Sequence, residues 1–114
     1  MKFGSYRTAW AEISLDAIQY NVAKFKSYVS NNTKLMAVVK ADGYGHGSVE
    51  VAKSAIKAGA DYIAVAILDE ALILRRAGID APILVLGYTP PESVKTAIEE
   101  RISLTVFTEE VIEK

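Results

Sequence analysis

Apolar positions along this chain fall into two rhythms. Leu15, Ile18, Val22, Phe25 and Val29 recur at three- and four-residue steps, one stripe that predicts a helix. Asp16 with Gln19 reads as a capping-box pair at its start, and Leu15 with Tyr20 as the hydrophobic staple. Ahead of it, "WAEISL" (Trp10 to Leu15) alternates and predicts a short strand. After the break at "SNNT" the rhythm changes to continuous apolar runs: "KLMAVVK", "DYIAVAI", "APILVLG" and "ISLTVF". Runs of this length bounded by turn residues predict buried strands.

Helical segments separate the runs. Ser48 reads as the cap of a helix to about Ala58, with Gly59 as its stop, and Asp69 as the cap of a helix ending at Gly78. "YTPPE" opens a helix whose start tolerates proline, and Thr108 with Glu109 and Glu110 begins another. The stretches "AGADYIAV" and "AGIDAPILV" repeat one plan of helix-end glycine, aspartate and apolar strand. Predicted strand ends fall near Lys40, Ala66, Leu86 and Val106. Strands alternating with helices imply right-handed crossovers and a parallel sheet. Near-continuous apolar strands imply a sheet covered on at least one face and closed or buried on the other. Four such units are half of a (β/α)8 barrel of the TIM type, which needs about 250 residues. An open four-stranded sheet is the rival. The final "EEVIEK" starts a helix without a C-cap, which favours the half barrel and a piece of a longer protein.

Composition narrows the function classes. The 114 residues suffice for one domain, and 51% apolar content is ample for a core. A net charge of −1 with interspersed signs gives no footprint for nucleic acid or an anionic membrane. The absence of cysteine excludes a thiolate nucleophile and a zinc–cysteine site. "MKFGSYRTAW" has no apolar leader core, and no apolar run reaches membrane-spanning length. A soluble, cytoplasmic protein is the expectation.

The chemistry gathers in "LMAVVKADGYGHGS" (Leu35 to Ser48). Its lysine precedes the glycines, so it is not a P-loop, and "GYGHG" lacks the spacing of the dinucleotide fingerprint. His46 is the one histidine, so no histidine metal cage can form and no metal is expected. It reads as a hydrogen-bonding loop residue. The pairs Asp69–Glu70 and Glu109–Glu110 occupy helix first turns, where the macrodipole favours anions. Glu99–Glu100 reads as a solvent face, and none of the pairs suits a glycosidase dyad. Lys40 stands apart as the last residue of the first predicted strand. In parallel α/β folds sites gather at strand carboxyl ends, and an amine there is suited to Schiff-base chemistry. Position alone leaves a solvated lysine as the equal alternative.

"MAVVKADGYGHG" resembles the cofactor-lysine signature of the alanine racemases, fold-type III pyridoxal-phosphate enzymes. "WAEISLDAIQYN", "AVAILDEALILRRAGIDAPILVLG" and "LTVF" extend the resemblance over essentially the whole chain, residues 1–114, as the N-terminal portion of that family's barrel domain. The resemblance implies that Lys40 holds pyridoxal 5'-phosphate as a Schiff base and serves as one of two acid/base groups at the α-carbon. It implies that Tyr44 hydrogen-bonds the cofactor phosphate and that Leu86 and Val38 lie beside the pyridine ring. The glycines flanking Tyr44 would then admit a close cofactor and a positive φ.

In the family a partner subunit of a homodimer supplies a tyrosine as the second base. That tyrosine, the arginine facing the pyridine nitrogen and the main phosphate cradle lie later in the family chain. The resemblance thus implies a parent enzyme acting on alanine, and a piece that carries the lysine without a complete site and is inactive alone. Two other readings stand beside it: a non-catalytic pyridoxal-phosphate binding or homeostasis module, and a structural half barrel.

Overall fold

The computed structural model describes residues 9–113. The stretch before Ala9, part of the segment read for a leader, lies outside them. Helix α1 (Leu15–Tyr28) is followed by β1 (Met36–Val38), a short helical turn α2 (Lys40–Tyr44) and α3 (Ser48–Lys57). Then come β2 (Tyr62–Val65), α4 (Leu68–Arg76) and β3 (Ile83–Val85). A 3-10 turn (Pro91–Ser93) leads into α5 (Val94–Glu99), β4 (Ile102–Leu104) and α6 (Glu109–Ile112). The four strands form one sheet in the order β1-β2-β3-β4, every pair parallel. Sheet order therefore follows chain order, as in one wall of a barrel.

The register puts Ala37 beside Ile63, Ile63 beside Ile83 and Ile83 beside Ile102. Together with Val39, Val65 and Val85 these residues face the helices. They form one core with Ala52 of α3, Ala71 and Leu74 of α4 and Ala97 of α5. Ile63, Leu74 and Ile83 are the largest side chains buried there, each contributing about 1.5–3 kcal/mol by leaving water. Small residues on the helices let them lie close to the strands. On the opposite sheet face Met36, Val38, Tyr62 and Leu86 remain more than a third exposed. The helices cover one face only, and the expected burial of the second face is not met among the described residues.

Several sequence expectations are corrected. Trp10 to Ser14 form no strand; Ser14 is instead the N-cap of α1, its hydroxyl accepting the Ala17 N–H at 3.1 Å, so Asp16 lies inside the helix. The α1 stripe holds at Leu15, Ile18 and Val22, which are half-buried, but Phe25 is 63% exposed. Lys40 is not the last strand residue: β1 ends at Val38, and one further ladder bond joins the Val39 N–H to the Ala64 carbonyl at 2.8 Å.

At the amino rim, where the strands begin, two charged side chains tie segments together. Asp61 Oδ2 accepts the Lys26 ammonium of α1 at 2.6 Å and the Leu35 N–H at 2.8 Å. Those two donors hold its carboxyl below the ordinary value of 3.8, the lysine contributing most. Arg75, in the last turn of α4, donates to the carbonyls of Ile79, Ala81, Glu100 and Arg101, each at 2.8 Å. These carbonyls lie in the connections that lead from α4 to β3 and from α5 to β4, and a guanidinium with five donors can collect several at once.

Candidate active site

At the carboxyl rim the chain leaves β1 and winds the wrong way. Ala41 (φ 52, ψ 48), Asp42 (φ 56, ψ 43) and Gly43 (φ 65, ψ 37) are left-handed, and Tyr44 continues at φ 56. For residues with a Cβ this hand costs about 1–2 kcal/mol each, and three of the four carry one. Backbone bonds of helical spacing offset the cost: Gly43 N–H to the Val39 carbonyl at 2.8 Å and Gly45 N–H to that of Ala41 at 3.1 Å.

Asp42 is the hub of the turn that follows. Its carbonyl accepts the Gly47 N–H at 2.8 Å, and its Oδ1 accepts the Ser48 N–H at 2.9 Å. Asp42 thus caps α3 from six residues away, and Ser48, expected as the cap, is the first helical residue. His46 is the loop hydrogen-bonder that was expected: its Nδ1 lies 3.0 Å from the Gly43 carbonyl and 3.2 Å from that of Tyr44. Two carbonyl partners require Nδ1 to carry the proton. A Cβ on Gly45 or Gly47 would meet nothing within 4 Å, so positive φ (86° and 93°), not crowding within the chain, explains these glycines.

Lys40 sits between the sheet and this turn. It is half-buried, and its ammonium makes no hydrogen bond or ion pair among the described residues. Tyr44 ends the turn and is 59% exposed. Val38, at the end of β1, and Leu86, just past β3, lie on the sheet face that no helix covers among the described residues, each 38% exposed. The Leu86 N–H bonds the Val65 carbonyl at 2.8 Å and the Gly87 N–H that of Ala66 at 2.9 Å, so the ladder carries Leu86 up to the rim. A Cβ on Gly87 would lie 2.5 Å from the Ala66 oxygen, which fixes glycine there.

The bonds made by Glu70 go beyond the macrodipole role that its place in a helix first turn suggests. Glu70 lies in the first turn of α4, as expected, and its carboxylate reaches back over the start of that helix and across to the turn after β1. Oε1 accepts the N–H groups of Ala66 at 2.8 Å and Ile67 at 3.1 Å, and Oε2 accepts that of Ala41 at 2.6 Å. A signal existed: a glutamate at the third helical position can reach back to the cap N–H. Its bond to Ala41 has no local signature. Asp42 was also missed, because nothing in the sequence marks an aspartate in a left-handed turn as the cap of the next helix.

No helix among the described residues is long and apolar enough to cross a membrane. Residues 13–114 match the family model described as alanine racemase, N-terminal domain. Alanine racemase 2 of Oceanobacillus iheyensis is 68% identical over 111 residues, which are 97% of this chain and 28% of that protein. The crystal structure of alanine racemase from Bacillus anthracis with bound L-Ala-P superposes with a TM-score of 0.91 at 52% identity, over 95% of this chain and 28% of that one. That of alanine racemase from E. faecalis gives 0.92 at 45% identity, over 99% and 30%. The chain thus spans under a third of the length of these relatives, and its sheet corresponds to the N-terminal part of their barrel.

Proposed function

The chain belongs to the family of alanine racemase N-terminal domains, and from that premise we propose that the full-length protein interconverts L-alanine and D-alanine with pyridoxal 5'-phosphate held on Lys40. One observation carries the reading: a primary amine, unpaired among the described residues, stands at the carboxyl rim, immediately ahead of a turn whose backbone is strained and held by hydrogen bonds. Strain of this kind concentrates at functional sites.

The residues at the rim fit the cofactor. Lys40 offers the amine that would hold it, and Tyr44 an exposed phenol able to donate to its phosphate. Val38 and Leu86 offer apolar surface for a flat ring on the uncovered sheet face. When bound, pyridoxal phosphate supplies delocalisation of the electron pair left at the α-carbon by proton loss. Lys40 has a second task, to take or return a proton at that carbon on one face. An amine does both because its nitrogen is a nucleophile and a base.

Residues 1–114 are proposed as the N-terminal portion of the cofactor-binding barrel domain, and the full-length protein as a cytoplasmic homodimer. In that assembly the partner subunit supplies the acid/base group for the other face of the α-carbon, which is why this piece alone is read as inactive. The test is borohydride reduction of the full-length protein with pyridoxal phosphate, followed by peptide mapping. The cofactor is expected on the peptide containing Lys40 and on no other lysine of this region. Trapping on another lysine would overturn the assignment. Trapping on Lys40 without turnover of alanine would favour a binding module instead.

A further inference from the structure

We infer that Glu70 is a positioning residue for Lys40, fixing the backbone directly after the lysine and so setting where its amine stands. This rests on the reading of Lys40 given above. The ladder between β1 and β2 ends with Val39 N–H on the Ala64 carbonyl. Beyond that bond the two chains diverge, one into α2 and the other into the corner before α4. Glu70 bridges the gap, with Oε1 on the Ala66 and Ile67 N–H groups and Oε2 on the Ala41 N–H at 2.6 Å. Lys40 therefore lies between two pinned peptides, Val39 held by the ladder and Ala41 held by the carboxylate.

Two further facts separate this role from a helix-terminus charge. Asp69 occupies the same first turn and makes none of these bonds. The Ala66 corner that Glu70 grips is itself anchored, its carbonyl taking the Gly87 N–H where no Cβ fits. A chain of contacts thus joins the ends of β1, β2 and β3, the same strand ends that carry Lys40 and Leu86. Ala41 is also the first left-handed residue. Its N–H is held by Glu70 and its carbonyl by Gly45, so both peptide planes that define its strained torsions are fixed.

The test uses Glu70→Gln in the full-length protein. The amide keeps one acceptor for Ala66 and Ile67 but turns an NH2 toward the Ala41 N–H, donor against donor. Amide hydrogen exchange, measured without cofactor, is expected to rise about tenfold over residues 39–47 and to stay unchanged over residues 71–76, the size set by loss of one charge-assisted hydrogen bond. With pyridoxal phosphate, borohydride-trappable attachment at Lys40 is expected to slow about tenfold. The kcat for alanine should fall likewise while KM stays within about twofold.

Glu70→Asp, which keeps the charge but withdraws it by one methylene, is expected to show the same selective exchange. Unchanged exchange in the Gln variant, or a urea midpoint that falls globally in both variants with trapping per folded molecule intact, would overturn the proposal. So would raised exchange with unchanged trapping and kcat. Failure of the wild-type protein to attach the cofactor at Lys40 would instead overturn the functional reading, while the exchange arm would still report on the Glu70 bridge.

Discussion

At the amino rim Arg75 donates to four carbonyls, whereas at the carboxyl rim Glu70 accepts from three N–H groups. Each charge matches the backbone groups that the connections around it present: carbonyls ahead of β3 and β4 at one rim, N–H groups just after β1 and β2 at the other. The rims differ in what remains after the matching. At the amino rim Lys26 is spent on Asp61 and Arg75 on backbone. At the carboxyl rim the backbone is strained through Ala41, Asp42 and Tyr44, and the Lys40 amine has no partner among the described residues. One rim is built for stability, and the other holds the lysine proposed to carry the cofactor, at some cost in stability.

The largest effect expected from breaking this contrast is at Lys40. Lys40→Ala in the full-length protein should lower alanine racemisation by at least about 10³-fold, the scale of a lost acid/base group and more where the cofactor hold is lost too. Its unfolding free energy should change by no more than about 0.5 kcal/mol, because the lysine ammonium makes no hydrogen bond or ion pair among the described residues. Racemisation assays and unfolding curves on one preparation check both halves. Arg75→Ala should do the reverse. Losing its charged hydrogen bonds should cost about 2–3 kcal/mol of stability, with kcat per folded molecule unchanged.

A matched pair sharpens the comparison on a smaller scale. Gly59 and Gly78 follow α3 and α4 at positive φ, but the equivalent place after α5 is Arg101 at φ 56. Arg101→Gly should therefore stabilise by about 0.5–1 kcal/mol without touching activity. Ala41→Gly relieves the same backbone strain at the other rim. It should also stabilise, yet lower kcat, because the turn beside Lys40 gains freedom.

The smallest effect concerns Asp61. Its folded pKa is depressed by Lys26, so its contribution to stability is complete above the ordinary value of 3.8 and is lost as pH falls through the lower folded value. Asp61→Asn should flatten the acid limb of the stability curve below about pH 4 and leave the rest of its shape unchanged. A series of urea midpoints against pH measures this.

How much of this was legible in the sequence depends on whether the cause is local. Ile63, Ala64 and Val65 announce a strand because a sheet covered by helices needs apolar residues there. The parallel order followed from the spacing, and Lys40 stood out by its place beside a strand end. Short-range ambiguity spoiled the first cap, since Ser14 and Asp16 are both good cap residues two positions apart. The left-handed turn was hidden for a different reason. Ala41, Asp42 and Tyr44 individually disfavour that hand, and the groups that hold them there include a carboxylate 29 residues away. The stripe on α1 misled at Phe25 because periodicity says which residues share a face, not how far a neighbour reaches along it.

The sheet order also bears on how the chain folds while it is being made. Each strand pairs with the one before it, Val38 with Ala64, Ile63 with Ile83 and Ile83 with Ile102, over similar stretches of chain. A strand leaving the ribosome meets its template already synthesised, and each new closure faces much the same entropic cost. The bridge from Glu70 to Ala41 needs only the second strand and the first turn of α4, whereas Arg75 must wait for Glu100 and Arg101. The backbone around Lys40 can therefore be set early in synthesis, before the opposite rim is tied.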